Sequence, residues 1–520
     1  MSSGLGPGTK KLDRLPLEIL NKICSKLTKN DVLSLCLTSK AFLRPSMARL
    51  YHSITIIDSG IFHDSNISHL EILGFYYNKH STTTTVVKHN LELLIRSLLY
   101  LNRENIKLIK EVNCFSNNEM SYRLVEKLMN LLLLKLSLKR LCLPVFTEKM
   151  LKFDQECITC LSISGTFNHV FANTDEALSC PNLESLHLRS ALDSYWVHVL
   201  DSIKGYENVK TLKLSGNSID DDYDDYVHQG HAEEIESFFR LSSIFNDHKV
   251  KFKNLKTLIF QKMNFQYRAS EFPFLDYSLD LSFINFENLE GLVIVECGKG
   301  CLVDISDKQK SKEGISKIFN QNVIKNLKLF IYENGGGLFN KANISQMEKL
   351  EKLHLSKSNF FKFNEMLKTI KNLKNLTMIS YNDEDLIKHF CDIISSQFVA
   401  NDKFSQRFLT DYQFKPTTPR SKYSSKELNY LFNSYQIATD YFNVNFQNDI
   451  NPFEDLYFND KSFINQFFKE VFKPFKDEII PRFLPLASKI FETNSNITYV
   501  KICAIGFKYN RKLGTCYMDN

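Results

Sequence analysis

A six-residue template, Leu-x-x-Leu-x-Leu, recurs along the chain and constrains its fold more than any other feature. Its starts fall at Ile109, Leu138, Ile158, Leu183, Val209, Leu255, Leu289, Ile324, Leu350, Leu373 and Ile497. The first ten are separated by 29, 20, 25, 26, 46, 34, 35, 26 and 23 residues. The last two apolar positions flank a single residue, which is the period-2 pattern of a strand with one buried face. A unit with one such strand cannot bury that face alone, so neighbouring units must stack. Six starts directly follow an asparagine: Asn182, Asn208, Asn254, Asn288, Asn372 and Asn496. Asparagine tolerates the left-handed turn that would swing the chain into each strand. Asn117, Asn217 and Cys297 stand eight residues into their units.

Between the strands, residues 91–101, 122–134, 191–203, 232–244, 315–319 and 363–370 carry apolar side chains near a 3.6-residue period and predict helices. Strand, turn, helix and return make an α/β chain: a curved parallel sheet with helices on its convex side. Two insertions interrupt the rhythm. One, after Leu214, holds five aspartates within 220–225. It lacks the glycine and terminal glutamate of a calcium loop and reads as a solvated acidic loop. The other, 381–496, is rich in phenylalanine (Phe453, Phe458, Phe463, Phe467, Phe468, Phe472 and Phe475). Helices are predicted near 383–399, 426–440, 461–472 and 481–491, with a loop at 415–421. This segment is either a cap on the stacked units or an aromatic platform for a partner.

Ahead of the repeats, residues 15–43 predict three short amphipathic helices. Pro16 suits a first helical turn, and Glu18 meets the positive end of that helix dipole. Ile19, Leu20, Ile23, Cys24 and Leu27 form one apolar stripe. Asn30 is a candidate N-cap for the second helix, whose Val32, Leu33, Leu35, Cys36 and Leu37 leave little polar surface. Ser39 can cap a third helix carrying Phe42 and Leu43, which Pro45 is expected to end. A piece this small has more apolar positions than it can hide, the mark of a docking surface.

The run Leu15-Pro16-Leu17-Glu18-Ile19-Leu20, followed by Asp31-Val32-Leu33 and then Phe42, resembles the F-box. Many F-boxes carry Trp where this chain has Phe42, and Leu50-Tyr51-His52-Ser53-Ile54 is similar to the segment just after the motif in fungal members. With the repeats, the chain resembles a fungal-type F-box/leucine-rich-repeat protein. That family places a buried Asn or Cys eight residues into its repeats. Residues 1–11, rich in Gly, Ser and Lys, are expected to be disordered. The resemblance implies an F-box (12–50), an irregular leucine-rich-repeat solenoid (51–380) and a last repeat strand and tail (497–520), with the helical Phe-rich insertion or cap (381–496) between them. It implies docking to the Skp-type adaptor of an SCF ubiquitin ligase, and through it to a cullin. Leu15, Pro16, Ile19, Leu20, Leu33 and Phe42 are the adaptor-binding candidates. The repeats would hold a substrate protein for ubiquitination. The alternative is a scaffold that binds the adaptor without directing degradation.

The residues flanking the last two apolar positions of each template are expected on the sheet face away from the helices. They include Arg140, His187, Arg189, Thr211, Lys213, Gln261, Lys328, Lys352 and His354, a polar and mildly basic set. Such a face suits an acidic or phosphorylated partner.

A net charge of +6 over 520 residues, with no stripe of Lys and Arg, gives no reason to expect nucleic-acid binding. The longest apolar run, 128–138, is interrupted by Asn130 and Lys135 and falls short of the roughly 20 residues of a membrane span. Twelve scattered cysteines and no signal-peptide pattern imply a reducing compartment, cytoplasmic or nuclear. Cys157 and Cys160 are a lone thiol pair with no second pair at zinc spacing. Gly298-Lys299-Gly300 and Gly335-Gly336-Gly337 lack phosphate-loop spacing, and no histidine or serine constellation marks a hydrolase. The expectation is a non-enzymatic subunit with no metal or cofactor.

Overall fold

The computed structural model describes residues 15–24, 27, 29–57, 84–87, 107–115, 138–143, 155–164, 178–189, 203–215, 245–247, 249–261, 282–295, 297, 321–333, 344–356, 362–382, 454, 457–458, 476–502 and 505–518. The helices expected at 91–101, 122–134, 232–244, 315–319, 383–399, 426–440 and 461–472 lie outside these residues. So do 191–202, the acidic loop, Asn117 and Asn217. The chain divides into two compact units, Met1–Cys157 with Phe408–Lys415, and Ile158–Arg407 with Pro416–Asn520. The division falls inside the expected 51–380 solenoid, and the three N-terminal helices share a unit with the first repeat strands.

The first unit opens with α1 (Leu17–Cys24), α2 (Lys29–Thr38) and α3 (Lys40–Tyr51). The Ile19 and Leu20 N–H groups donate to the Pro16 carbonyl, so Pro16 stands at the helix start, where its missing N–H goes unused. The Ser39 side chain accepts from the Ala41 N–H and caps α3. Pro45 does not end α3 as expected; it lies buried inside the helix, which continues for six more residues to Tyr51. Pro45 is the sixth residue of α3, past the first turn, so the bond that an N–H there would give the Ala41 carbonyl is forgone while the helix continues. From α3 the chain passes into β1 (Ser53–Ile57). β2 (Thr84–Val87), β3 (Glu111–Phe115) and β4 (Arg140–Leu143) complete a parallel order β2-β1-β3-β4. β1 and β2 carry no full template, and the sequence pattern does not announce them as strands.

The second unit is a longer ladder. β5 (Cys160–Ser164), β7 (Ser185–Arg189), β9 (Thr211–Ser215), β10 (Thr257–Gln261), β11 (Gly291–Val295), β12 (Leu329–Glu333), β13 (Lys352–Ser356), β14 (Met378–Asn382) and β15 (Tyr499–Ile502) pair in parallel, each with the next. β16 (Ile505–Asn510) and β17 (Thr515–Met518) add an antiparallel end. β6 (Leu178–Ser179) and β8 (Ile203–Lys204) form a separate parallel pair. Helices accompany the ladder, among them α4 (Gln321–Asn326), α5 (Phe363–Ile370) and α6 (Lys476–Thr493), with single 3-10 turns at Tyr206–Asn208 and Phe286–Asn288. α5 meets the expectation for 363–370, and α6 contains the helix expected at 481–491. The class is α/β with a mostly parallel sheet, compatible with a solenoid-like arrangement. No described helix is long and apolar enough to cross a membrane.

The registers correct two template frames. Leu292 pairs with Phe330, and Leu353 with Ile379. The strand templates therefore begin at Leu327 and Leu376, three residues after Ile324 and Leu373. The slip arises because helix and strand both place apolar residues three apart: Ile324 belongs to α4, and Leu373 to the turn after α5.

The asparagines have a different role from the expected one. Among described residues other than glycine, only Lys249 has a positive φ. The asparagine side chains instead reach the preceding turn. Asn208 Nδ2 donates to the Pro181 carbonyl at 2.6 Å, Asn254 Nδ2 to Glu207 at 2.7 Å, and Asn288 Nδ2 to Lys253 at 3.1 Å. Asn375, not Asn372, donates to Glu348 at 2.8 Å, and Asn496 to Lys374 at 2.8 Å. Asn375 directly precedes Leu376, in agreement with the corrected frame. Each strand entry repeats one further bond pattern. The Lys210 and Thr211 N–H groups share the Glu184 carbonyl, and Lys256 and Thr257 share that of Lys210. The left-handed turn falls to Gly205 (φ 106°), where an added Cβ would lie 2.3 Å from the Cys180 carbonyl oxygen.

The core follows the template. Leu186, Leu212, Leu258, Leu292, Phe330, Leu353, Ile379 and Val500 form one row of register partners, all buried. Phe245, Phe252 and Phe283 pack edge-on or tilted at 4.8–6.5 Å, and Tyr206 joins Phe252 at 5.7 Å. Cys297 is buried with its Sγ 3.4 Å from the Val295 carbonyl, the enclosed position expected eight residues into a unit.

Candidate functional site

Two surfaces carry the sequence-nominated residues, one in each unit. In the first, Leu20, Cys24 and Phe42 form a buried cluster, with Leu15, Leu35 and Ala41 packed against it. Leu20 and Phe42 therefore hold the three helices together and are not on the outside; Leu15 is half-buried against them. Pro16 and Ile19 are exposed, and the side chain of Leu33 lies outside the described residues. Beside Ile19, 44% exposed, Leu17, Leu37 and Leu43 also face outward, Leu37 at 90% exposure. Each of the three helices thus exposes at least one large apolar side chain. Leu17, Leu37 and Leu43 are not among the nominated contacts. The offsets of Leu37 from Val32 and of Leu43 from Phe42 turn them off the buried face, whereas Leu17, three residues before Leu20, shares its face and gives no such signal.

In the second unit, one row of register partners crosses the sheet on the face opposite the leucine row. It runs Ser162, His187, Lys213, Ile259, Val293, Ile331, His354, Ser380 and Lys501. Every member is buried, including Lys213 at 2% and His354 at 0% exposure. This corrects the expectation of an open polar face: His187, Lys213, Gln261 and His354 are enclosed. A parallel sheet is commonly covered on both faces, and here the middle strands are apolar on both. Thr211, Arg140 and Lys352 are partly buried. Arg189 is a strand residue whose side-chain exposure lies outside the described set. Lys328 is not on the face at all. It occupies the exposed turn before β12, with its Nζ 3.3 Å from Glu290.

The structure gives His187 internal partners. Its Nδ1 is 3.2 Å from Ser162 Oγ and its Nε2 2.7 Å from Ser215 Oγ, a buried bridge across three strands. His354 has a different neighbour. The Tyr457 ring stacks on it at 3.5 Å between centroids and 12° between planes. The Tyr457 hydroxyl donates to Glu333, and Lys352 pairs with Glu454. Lys501 Nζ lies 6.0 Å from the Tyr457 ring centroid. Tyr457 and Phe458 are both buried. A piece of the 381–496 insertion therefore occupies the very face nominated for a partner.

Burial, and secondarily the Lys501 ammonium, hold the His354 imidazole well below its usual range, so the ring is neutral at pH 7. Neither His354 ring nitrogen has a hydrogen-bond partner among the described residues. The same holds for Ser356 Oγ, Ser380 Oγ, Asn382 Oδ1 and Gln261 Oε1. His354 and Ser380 are register partners, as are Ser356 and Asn382. The sequence reading does not nominate Glu333, Ser356, Ser380, Asn382, Lys501, Glu454 and Tyr457. The frame slip at Leu373 hides Ser380 and Asn382, and the one at Ile324 hides Glu333, whereas Ser356 holds the position of Gln261 and Lys501 that of Lys213, so the pattern offers both.

Cys157 and Cys160 are free thiols, and burial pushes the Cys180 thiol up to about 12, where it stays protonated. No group of three or more metal-ligating side chains occurs among the described residues. No family model matches the chain, and no curated protein shows significant similarity to it.

Proposed function

We propose that the chain is the substrate-recognition subunit of an SCF ubiquitin ligase, the three N-terminal helices docking a Skp-type adaptor and the sheet holding a substrate protein. The observation that carries this reading is the outward apolar set Leu17, Ile19, Leu37 and Leu43 on helices that bear an F-box-like motif. Small helices that expose large apolar side chains while enclosing Leu20, Cys24 and Phe42 retain an unfilled docking surface. Recruitment would act by proximity, raising the local concentration of substrate lysines near a ubiquitin carrier without chemistry by this chain. A cytoplasmic or nuclear setting goes with that role.

The test is capture of purified Skp-type adaptor by the full chain. Replacing Ile19 and Leu37 together by Asp lowers affinity by about 100-fold or more, since two desolvated apolar anchors are lost. Both side chains are exposed, so unfolding free energy moves by about 1 kcal/mol or less for the pair. Undiminished capture by that variant sinks the assignment. The scaffold reading draws on the occupied sheet face, which is closed to a second chain while Tyr457 sits there. Deleting residues 12–50 separates the two: a receptor then accumulates its undegraded partner in cells, and a scaffold does not.

A further inference from the structure

The insertion segment on the sheet face reveals what that face is built to accept. Lys352 presents an ammonium to the Glu454 carboxylate. Three residues later, Tyr457 lies flat on the neutral His354 ring and donates its hydroxyl to Glu333. These are three separate recognitions: an ion pair, a ring stack and a hydrogen bond, on three neighbouring residues of two paired strands. The fit is incomplete, however. The His354 nitrogens, Ser356 Oγ, Ser380 Oγ and Asn382 Oδ1 are buried beside it without hydrogen-bond partners among the described residues. Buried polar groups left unpaired disfavour the occupied state, so an occupant that pairs them has an advantage over the segment now bound.

We propose that the β12–β14 face is a peptide-binding site for a partner segment carrying Glu or Asp three residues before an unmodified Tyr, and that Glu454–Tyr457 is its intramolecular competitor. The partner's Tyr stacks on His354 and donates to Glu333, and its carboxylate pairs with Lys352. Its additional polar groups reach Ser356, Ser380 and Asn382. The hydroxyl donated to Glu333 excludes phosphotyrosine, because a phosphate there has no proton to give and repels the carboxylate. The expectation of an acidic partner is thereby kept and that of a phosphorylated one set aside at this site. The inference rests on the reading of this sheet as the substrate-holding surface, and names the substrate chemistry.

The probe is a fluorescein-labelled peptide of residues 451–461, Asn-Pro-Phe-Glu-Asp-Leu-Tyr-Phe-Asn-Asp-Lys. Its anisotropy is followed with the full chain and with the Glu454→Gln/Tyr457→Ala variant. Removing the internal competitor raises peptide affinity by about tenfold or more, because the competent state is no longer taxed by self-occupation. Lys352→Glu in that background reverses the gain, and the peptide phosphorylated on tyrosine binds about tenfold more weakly than the unmodified one. Equal affinity for wild type and variant, or binding to neither, overturns the proposal and leaves Glu454–Tyr457 as a structural cap. Should Tyr457→Ala cost the chain its cooperative unfolding, Glu454→Gln alone decides by the same comparison, since that carboxylate is partly exposed. Adaptor capture measured on the same samples reads the ligase assignment separately: either result can fail while the other stands.

Discussion

The three-helix stretch and the second face of the sheet invert each other. In the helices, leucines lie outside: Leu17, Leu37 and Leu43 are exposed over a cluster of only a few buried side chains. On the sheet, Lys213, His187, His354 and Lys501 lie inside, in a row that a period-2 pattern assigns to solvent. Hydropathy alone therefore misplaces both sets. A short helical unit has too little interior for its apolar residues, so the excess faces out. A long parallel sheet has two faces to cover, and the chain covers part of the second with its own insertion. Exposed leucine marks a helical unit too small to enclose it, and the enclosed His354 marks a face that Tyr457 of the same chain covers.

The comparison can be attacked first where the expected effect is largest. Phe42→Ala removes a buried aromatic from the helical cluster and costs about 3–5 kcal/mol, measured by chemical denaturation of the first unit. A loss near zero would place Phe42 outside, with Leu17, Leu37 and Leu43. The next effect concerns His354. Its folded pKa lies below the unfolded value of about 6.5, so as pH falls the unfolded chain takes up the proton first. The stability this group contributes is complete above about pH 6.5 and declines below it, by up to about 1.4 kcal/mol per pH unit until the folded pKa is reached. Unfolding midpoints at pH 7.5 and 5.5 measure this, and His354→Gln flattens the slope. An unchanged slope would mean the ring is not enclosed under Tyr457.

Smaller effects sharpen the contrast. Asn254→Ala deletes the side-chain bond to the Glu207 carbonyl and costs about 1 kcal/mol in the second unit. Asn372→Ala, one turn out of the corrected frame, has less effect than Asn375→Ala, which loses the bond to Glu348. Two exposed positions should hardly register in the same melts. Leu37→Ala leaves stability within about 0.5 kcal/mol. Glu184→Gln breaks a 2.6 Å ion pair with Lys210, half exposed on both sides, and also stays within about 0.5 kcal/mol.

Much of the ladder is legible in the sequence because its signal is local. Nine of eleven template starts coincide with strand entries, since alternation at period 2 is a property of consecutive residues. The failures are local ambiguities as well. Ile324 and Leu373 precede the true template starts, Leu327 and Leu376, by three residues, a spacing that helix, turn and strand templates share. Pro45 reads as a helix end because an interior proline loses one backbone bond, a local cost that the rest of α3 outweighs. The asparagines stand out at the right positions and for the wrong reason, because a donor to the previous turn and a left-handed conformer favour the same residue type.

The candidate site is legible only in part. Alternation correctly nominates His354 and Lys352 as face residues. Their partners Tyr457 and Glu454 stand about a hundred positions later, and no periodicity links residues that far apart. The sequence by itself determined the α/β class, nine of the eleven template frames, the positions of most turn asparagines and the F-box-like motif, all of which depend on neighbours within a few residues. Only the tertiary structure decided which polar side chains are enclosed, which leucines remain outside, and which segment lies over His354. Burial is a property of the surface that remains after distant segments have packed, and solvent is excluded by whatever arrives last, wherever in the chain it is encoded.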